Sequence, residues 1–401
     1  MTATLANATS RPLLPILVAL SGAHLLNDLI QSMIPAMYPL IKEAYALDFA
    51  HIGLITLAFQ VTSSLLQPVL GHVTDARPWP YAMIAGMGAT LIGLFGLSFA
   101  PNYGTVLASA AMIGLGSAVF HPEATRMARH AAAGQQGFAQ GIFQIGGHVG
   151  YAAGPLLAAM FVVPRGQQSL AWMSVVALVA MVLMAWTGLR YAEMRRDQIA
   201  AAASAPAGHA KSAAGPMLPT RHVLFAMSIL ILILLSKNAY TAAFTSYYTF
   251  YLIERFDTSV QLSQIMLFLY LVVGAIGVIV GGMVGDRIGR HRVIWLSILG
   301  ALPFALALPH ADLFWTGVLS VVISLIMASA FSSILIYAID LVPHRVGLVG
   351  GLFYGLAFGL GGLCAAVLGL VADQIGIVAV FQIVAWVPAL GLLTFLLPRT
   401  S

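Results

Sequence analysis

From Pro12 to Leu397 the chain is a succession of apolar runs, nearly free of charge and separated by short polar loops. Each run is about 20 residues or longer, the length at which a helix crosses the hydrocarbon core of a bilayer with its backbone groups bonded internally. A water-soluble globule could not hide this load. Hydrophobic residues make up 60% of the 401 and charged residues 8%, against about one half and one quarter in a soluble domain. Those proportions exclude a soluble enzyme, a disordered chain and a nucleic-acid binder. The single cysteine, Cys364, lies inside an apolar run, so no disulfide framework is expected. Met1 to Ser10 lacks a basic stretch and a small-residue cleavage site ahead of the first run, which is therefore expected to be retained.

The runs predict an all-α membrane protein with about twelve spans: 13–41, 51–73, 80–99, 104–130, 137–163, 169–190, 221–252, 260–284, 292–309, 313–341, 347–372 and 376–397. Between the sixth and seventh lies 191–220, with Arg195, Arg196, Asp197, an Ala/Ser run, Lys211 and two prolines, which reads as a linker. It divides the chain into six-helix bundles over 1–190 and 221–401. With both termini in the cytoplasm, that side receives nearly every Lys and Arg. The opposite side receives only Lys42, Arg165 and Arg255, and Lys237 lies mid-span. This bias orients a multi-pass protein, expected in the inner (cytoplasmic) membrane, and it also explains the net charge of +5 without nucleic acid. The halves repeat weakly. At one constant offset Asn27 falls on Asn238, Glu43 on Glu254, Gly71 on Gly282 and Asp75 on Asp286. Parallel repeats of this kind build one class of transporter.

The motifs narrow the class. After the eighth span comes Gly282-Met-Val-Gly-Asp286-Arg287-Ile-Gly289-Arg290-His291-Arg292, with a degenerate first-half copy at Gly71 and Asp75. This stretch resembles the loop signature of the major facilitator superfamily. The resemblance implies a twelve-helix fold whose halves rock about a central cavity. It also implies a gating role for Gly71, Asp75, Gly282, Asp286, Arg287 and Arg290. The fifth span carries Gly141, Gly150, Gly154 and Pro155, which resembles the antiporter motif of that superfamily, with Ala158 where a last glycine is expected. Small residues permit close helix approach, and Gly274, Gly277 and Gly281 of the eighth span are the expected partner. Three further stretches are similar to the fosmidomycin-resistance family of proton-driven drug exporters: His24 through Gln31 with Pro35 and Tyr38-Pro39, Gly71-His72-Val-Thr-Asp75, and Phe120-His121-Pro122-Glu123-Ala-Thr-Arg126. Gln144 through Gly150 adds to them.

An ionisable side chain inside a membrane costs roughly 2.5–3.5 kcal/mol on insertion scales, so its default reading is functional. His24, Asn27, Asp28 and Gln31 recur at helical spacing and make one polar stripe on the first span. Asp28 is its only acid, either a proton carrier or a lock between helices. Glu123 and Arg126 are placed to pair along the fourth span. His121 points to a different side from Glu123. Gln144, His148 and Tyr151 form a stripe on the fifth span, where His148 could bind substrate, relay protons or satisfy a neighbour. In the second half the candidates are Lys237, Tyr240, Thr241 and Phe244, with Tyr337 and Tyr354. Aromatic residues at such spacing are more often packing than ligand contacts. Lys237 is expected either to hold an anion or to neutralise Asp28 or Glu123.

Asp28, Glu123 and His148 are thus the proton-coupling candidates, and the remaining polar and aromatic residues named above line the expected substrate site. No Cys/His pair has metal spacing and no Walker sequence is present, so neither metal nor cofactor is expected and the proton gradient is the energy source. The resemblance implies proton-coupled efflux of small amphipathic or anionic compounds, fosmidomycin-like, by a protein expected to act as a monomer among lipids. A proton-coupled importer or symporter remains the alternative on the same fold. A membrane-embedded enzyme using His121, Glu123 and His148 is the remote one.

Overall fold

The computed structural model describes residues 13–70, 79, 81–132, 135–203, 220–342 and 346–397. Ten helical segments among them are long and apolar enough to cross a membrane, and two shorter apolar helices, Ala82–Ser98 and Gly359–Ile375, fall where the remaining spans are expected. The described residues contain no strand.

The first half runs α1 (Leu14–Ala36), α2 (Tyr38–Ala44), α3 (Phe49–Gln60), α4 (Ala82–Ser98), α5 (Tyr103–Ala131), α6 (Gln136–Leu157) and α7 (Met173–Ala203). The second runs α8 (Thr220–Phe256), α9 (Val260–Ile288), α10 (Arg290–Leu299), α11 (Leu302–Ala307), α12 (Leu313–Ala328), α13 (Ala330–Leu341), α14 (Val346–Ile375) and α15 (Ile377–Val384). Several helices start where a short polar side chain can accept an orphan backbone N–H. Asp48 accepts from the His51 amide, Asn102 from Thr105, Ser259 from Leu262 and Asp312 from Trp315. All four caps lie at the end of the bundle that carries α2. Slight burial pushes the Asp48 carboxyl up, but the His51 amide and imidazole and nearby Lys42 outweigh it and hold it below the usual carboxylate range.

Several expected spans are divided or extended. The first breaks at Met37, between Pro35 and Pro39, so α1 and α2 are separate helices. The ninth breaks just before Leu302, ahead of Pro303, and the tenth at Ser329. Proline removes a backbone donor and explains the first two breaks. The sixth continues to Ala203, so the first part of the expected linker is helical. Charged residues there do not oppose helix formation, which is why the polar composition misplaced its end. The second span passes into a π-turn at Val61–Leu65, and the last ends as a 3-10 stretch at Val387–Leu396.

Lipid-facing positions carry large apolar side chains, among them Ile92, Met160, Val182 and Leu224. Exposed aromatics gather near the α2 end at Phe99, Trp172, Phe314 and Trp315, and near the other end at Trp79 and Tyr81. Amphipathic rings favour these interfacial levels.

Two buried clusters form the interior. The larger runs through the first half and takes in the α2 end of the second, including Phe244, Tyr247, Tyr251 and Phe381. The smaller belongs wholly to the second half at the opposite end, around Ile233, Ile294, Tyr337 and Phe353. The halves are therefore fused at the α2 end. There α3 lies along α14, and α6 along α9.

Candidate functional site

The polar stripe of α1 faces inward, as its spacing requires. His24, Asn27 and Gln31 are buried and Asp28 is half-buried. The Asp28 carboxylate gathers four groups. Asn27 Nδ2 donates to Oδ1 at 2.9 Å and Gln31 Nε2 at 3.3 Å. His24 Nε2 lies 3.2 Å from Oδ2, and His121 Nε2, from α5, lies 3.8 Å from Oδ1. His24 is clamped between helices. Its ring stacks on Phe143 at 4.1 Å and its Nδ1 is 2.9 Å from the Phe143 carbonyl oxygen of α6. The Nδ1 of His121 is likewise 3.0 Å from the Ser117 carbonyl oxygen.

The His24 contacts fix a hydrogen position. A carbonyl oxygen only accepts, so His24 Nδ1 carries hydrogen. In that neutral tautomer the His24 Nε2 lone pair would point at an ionised carboxylate. The 3.2 Å approach of His24 to Asp28 is bonding only if the pair holds one more proton, on the imidazole or on the carboxyl.

Glu123, 2% exposed, is turned away from this cluster and receives Arg126 Nη1 at 2.8 and 3.0 Å. The pair sits one turn along α5 from His121. Gln144, His148 and Tyr151 are half-buried along α6, between its lipid face and its packed face. Lys237 is half-buried in α8, with its Nζ 5.4 Å from the Phe331 ring centroid. Among the described residues no carboxylate lies within salt-bridge range of it, so the expected neutralisation of Asp28 or Glu123 is not present in this conformation. Thr241 returns its hydroxyl to the Lys237 carbonyl at 3.0 Å.

Other candidates lie elsewhere. Tyr240 and Phe244 are buried in an aromatic stack, with Phe244 at 4.5 Å from Tyr270 and 4.8 Å from Tyr248. Tyr337 is buried in the second core. Gly71 and Asp75 lie outside the described residues, as do the side chains of Asp286 and Tyr354 and the surroundings of Gly282. Arg287 is exposed at the end of α9, while Arg290 pairs with Asp340 of α13, tying α10 to its own bundle.

The glycine motif packs differently from the expectation. A Cβ on Gly146 or Gly150 would land on the Ser21 or Leu25 carbonyl oxygen, one on Gly147 on the His24 ring, and one on Gly154 on Ser32 Oγ. This face of α6 is pressed against α1, not against α9. Gly274, Gly277 and Gly281 instead receive Ser324, Leu325 and Ser329, in α12 and the turn after it. Small residues permit close helix approach without specifying the partner, and spacing alone did not identify the pairs. The motif's service is to bring Phe143 onto His24, with Ser21 donating to the Ile142 carbonyl at 2.7 Å. Gly141 meets no neighbour within 4 Å, and Pro155 precedes a π-turn at Ala158–Val162.

Sequence reasoning missed the closure between the halves. Asp373, at the end of α14, accepts the Phe49 and Ala50 amides at 2.7 and 2.8 Å. The second half thereby supplies a carboxylate to the N-terminus of a first-half helix, where the dipole favours an anion. Gln264 Nε2 reaches the Ala36 carbonyl at 2.8 Å, and Tyr247 donates to the Ala365 carbonyl at 2.6 Å beside Gly53. Nothing in the spacing marked Asp373, because its partners are backbone groups of the other half. Replacing Asp373 by Asn removes the charge and one acceptor. The expected loss is about 1 kcal/mol of closure, or roughly fivefold in the open-to-closed ratio. In a variant lacking Cys364, a cysteine at Thr56 should react with maleimide correspondingly faster. An unchanged rate would remove Asp373 from the closure.

Comparisons with known proteins agree with this fold. A family model for the Major Facilitator Superfamily matches residues 20–366 and 252–401. The chain is 50% identical over 383 residues to the fosmidomycin resistance protein of Escherichia coli (strain K12), covering 96% of this chain and 92% of that protein. It is 39% identical over 385 residues to the uncharacterized MFS-type transporter YfnC of Bacillus subtilis (strain 168), covering 96% and 93%. Among solved structures it is similar to a bacterial homolog of the human lysosomal transporter Spinster, with a TM-score of 0.76, 14% identity and coverage of 96% of this chain and 98% of that one. The nucleoside transporter NupG follows at 0.71, with 14% identity and coverage of 96% and 100%. A helical membrane chain with two fused halves, a polar cluster inside the first and family matches along its length is a transporter, not an enzyme, and it belongs to the major facilitator superfamily.

Proposed function

We propose that the chain exports small anionic or amphipathic compounds, fosmidomycin among them, across the inner membrane in exchange for protons. The supporting observation for proton coupling is the His24–Asp28 contact, which is bonding only when the pair holds one proton more than a neutral imidazole beside a carboxylate. The relative named for fosmidomycin resistance supports the substrate class.

With both termini cytoplasmic, the fused α2 end faces outward and the halves separate toward the cytoplasm. That state captures substrate from inside. Substrate arrival and release of the proton to the cytoplasm are coupled at the cluster, and rocking of the halves exposes it to the other side. A proton entering from outside then resets it. Any net inward positive charge gains about 2.3 kcal/mol per 100 mV of membrane potential.

The test is uptake of labelled fosmidomycin into everted vesicles with an imposed inward-acid gradient. Accumulation that collapses with a protonophore is the expected outcome. Accumulation in right-side-out vesicles driven by an outside-acid gradient would favour the importer instead.

Lys237 supplies the anion contact in this reading, since it sits in the membrane with no carboxylate in salt-bridge range among the described residues. A phosphonate or carboxylate loses hydration on entry, and a cation offsets part of that loss. Lys237→Gln should weaken binding of an anionic substrate by roughly tenfold or more and leave a neutral analogue nearly unaffected. Equal weakening of both compounds in a binding titration would remove the anion-binding role.

A further inference from the structure

We infer that His24, Asp28 and His121 form a binding site for a divalent transition-metal ion, with Zn2+ the best match to the donors. One ring nitrogen from each histidine and a carboxylate oxygen all lie within 4.8 Å of one another, the one such group of three among the described residues. His24 Nε2 lies 3.2 Å from Asp28 Oδ2 and His121 Nε2 lies 3.8 Å from Oδ1 of the same carboxylate. A tetrahedral ion with bonds of about 2.0–2.2 Å holds its ligand atoms roughly 3.3–3.6 Å apart. The site therefore needs only small side-chain adjustments to close on an ion.

Two features distinguish this group from a chance meeting of polar side chains. His24 gives its Nδ1 hydrogen to the Phe143 carbonyl, and His121 Nδ1 is anchored by the carbonyl and hydroxyl oxygens of Ser117 at 3.0 and 3.1 Å. These anchors hold each Nε2 toward the shared centre, the outer-shell arrangement that metal-ligating histidines use. The donors also stand on helices rather than loops, His24 and Asp28 on α1 and His121 on α5. Phe143 and Phe120 cover His24 at 4.1 and 5.7 Å, closing one side. The His121 and Asp28 side chains keep 25% and 16% exposure, so a fourth position opens away from the aromatic wall. Three protein ligands and one open position is the pattern of an accessible zinc site. Two imidazoles with one carboxylate select Zn2+ and its transition-metal neighbours over Mg2+ or Ca2+, which favour oxygen donors.

The ion and the bridging proton use the same lone pairs, so they exclude each other. Resting on the proposed transport reading, this makes Zn2+ an inhibitor of proton-driven export that acts at the coupling centre. Binding itself does not depend on that reading.

The test uses the purified full-length protein in detergent, freed of any affinity tag and stripped with a chelator. Titration with Zn2+ alone is followed by calorimetry and equilibrium dialysis. Titration with Co2+ alone is followed by its visible d–d absorption. A single saturable ion per chain and an intense four-coordinate Co2+ spectrum are expected. His24→Gln and His121→Gln should each weaken binding by about tenfold or more, while His310→Gln, at an exposed position, changes nothing. His121 is partly exposed, so its variant guards against loss of fold at His24, and thermal unfolding checks both. Absence of stoichiometric binding, or binding unchanged in both variants of a folded protein, overturns the site. Because the readout uses neither substrate nor gradient, failure of the transport reading would leave this result standing, and the converse holds.

Discussion

Asp28→Asn is expected to reduce gradient-driven accumulation of substrate to background while leaving a folded protein that still binds. The carboxylate is the one acid of its helix stripe and the point on which Asn27, Gln31, His24 and His121 converge. The amide has nearly the same shape and keeps one acceptor oxygen, so packing survives. What it cannot do is take up and release a proton. Downhill exchange of labelled for unlabelled substrate should therefore persist, and its rate should lose most of its dependence on pH. Uphill accumulation in everted vesicles should vanish. Two results would reverse the assignment: uphill accumulation equal to wild type, or loss of substrate binding as large as the loss of transport. The first would move coupling to Glu123 or His148. The second would make Asp28 a structural lock, because removing one partner of a buried charged network costs several kcal/mol.

Gly150→Val and Gly154→Leu should prevent normal folding. A Cβ at Gly150 would occupy the position of the Leu25 carbonyl oxygen and one at Gly154 that of Ser32 Oγ. Ordinary overpacking costs about 1–3 kcal/mol because side chains can shift. At Gly150 the obstacle is the backbone of α1, which can only move as a helix, and the cost should exceed that range. Separating α1 from α6 also breaks the Ser21 and His24 hydrogen bonds to Ile142 and Phe143. Size-exclusion profiles of detergent extracts should show little monodisperse protein. Gly141→Ala is the matched comparison from the same motif. Its Cβ meets open space, and in a helix interior alanine is favoured over glycine by up to about 1 kcal/mol, so that variant should fold and transport normally. If Gly150→Val behaved like Gly141→Ala, the α1–α6 contact would not be as close as described.

Both predictions draw on the sequence and the fold in different proportions. The polar stripe of α1 was legible because a charge in an apolar helix stands out and helical periodicity tells which residues share its face. The pairing of Glu123 with Arg126 was legible for the same reason, since both partners lie three residues apart on one helix. Groups converging from different helices were not. His24 and His121 are far apart in the chain, and nothing local states that Nε2 of each meets one carboxylate. The glycines of α6 announced a close contact without naming its partner, and α9 was the wrong choice. Tyr240 and Phe244 sat at the right spacing for a cavity wall, yet they are buried among Tyr248, Tyr270 and Phe381.

Composition and periodicity alone determined that this chain is an all-helical membrane protein, because long apolar runs must bond every backbone group internally in lipid and helices do so within each run. The loop signatures added the superfamily. Only the tertiary structure decided which helices touch, where the halves close and which side chains converge on Asp28. Those outcomes depend on pairwise packing and on backbone carbonyls such as those of Phe143 and Ser117, which every residue type carries and no sequence pattern records.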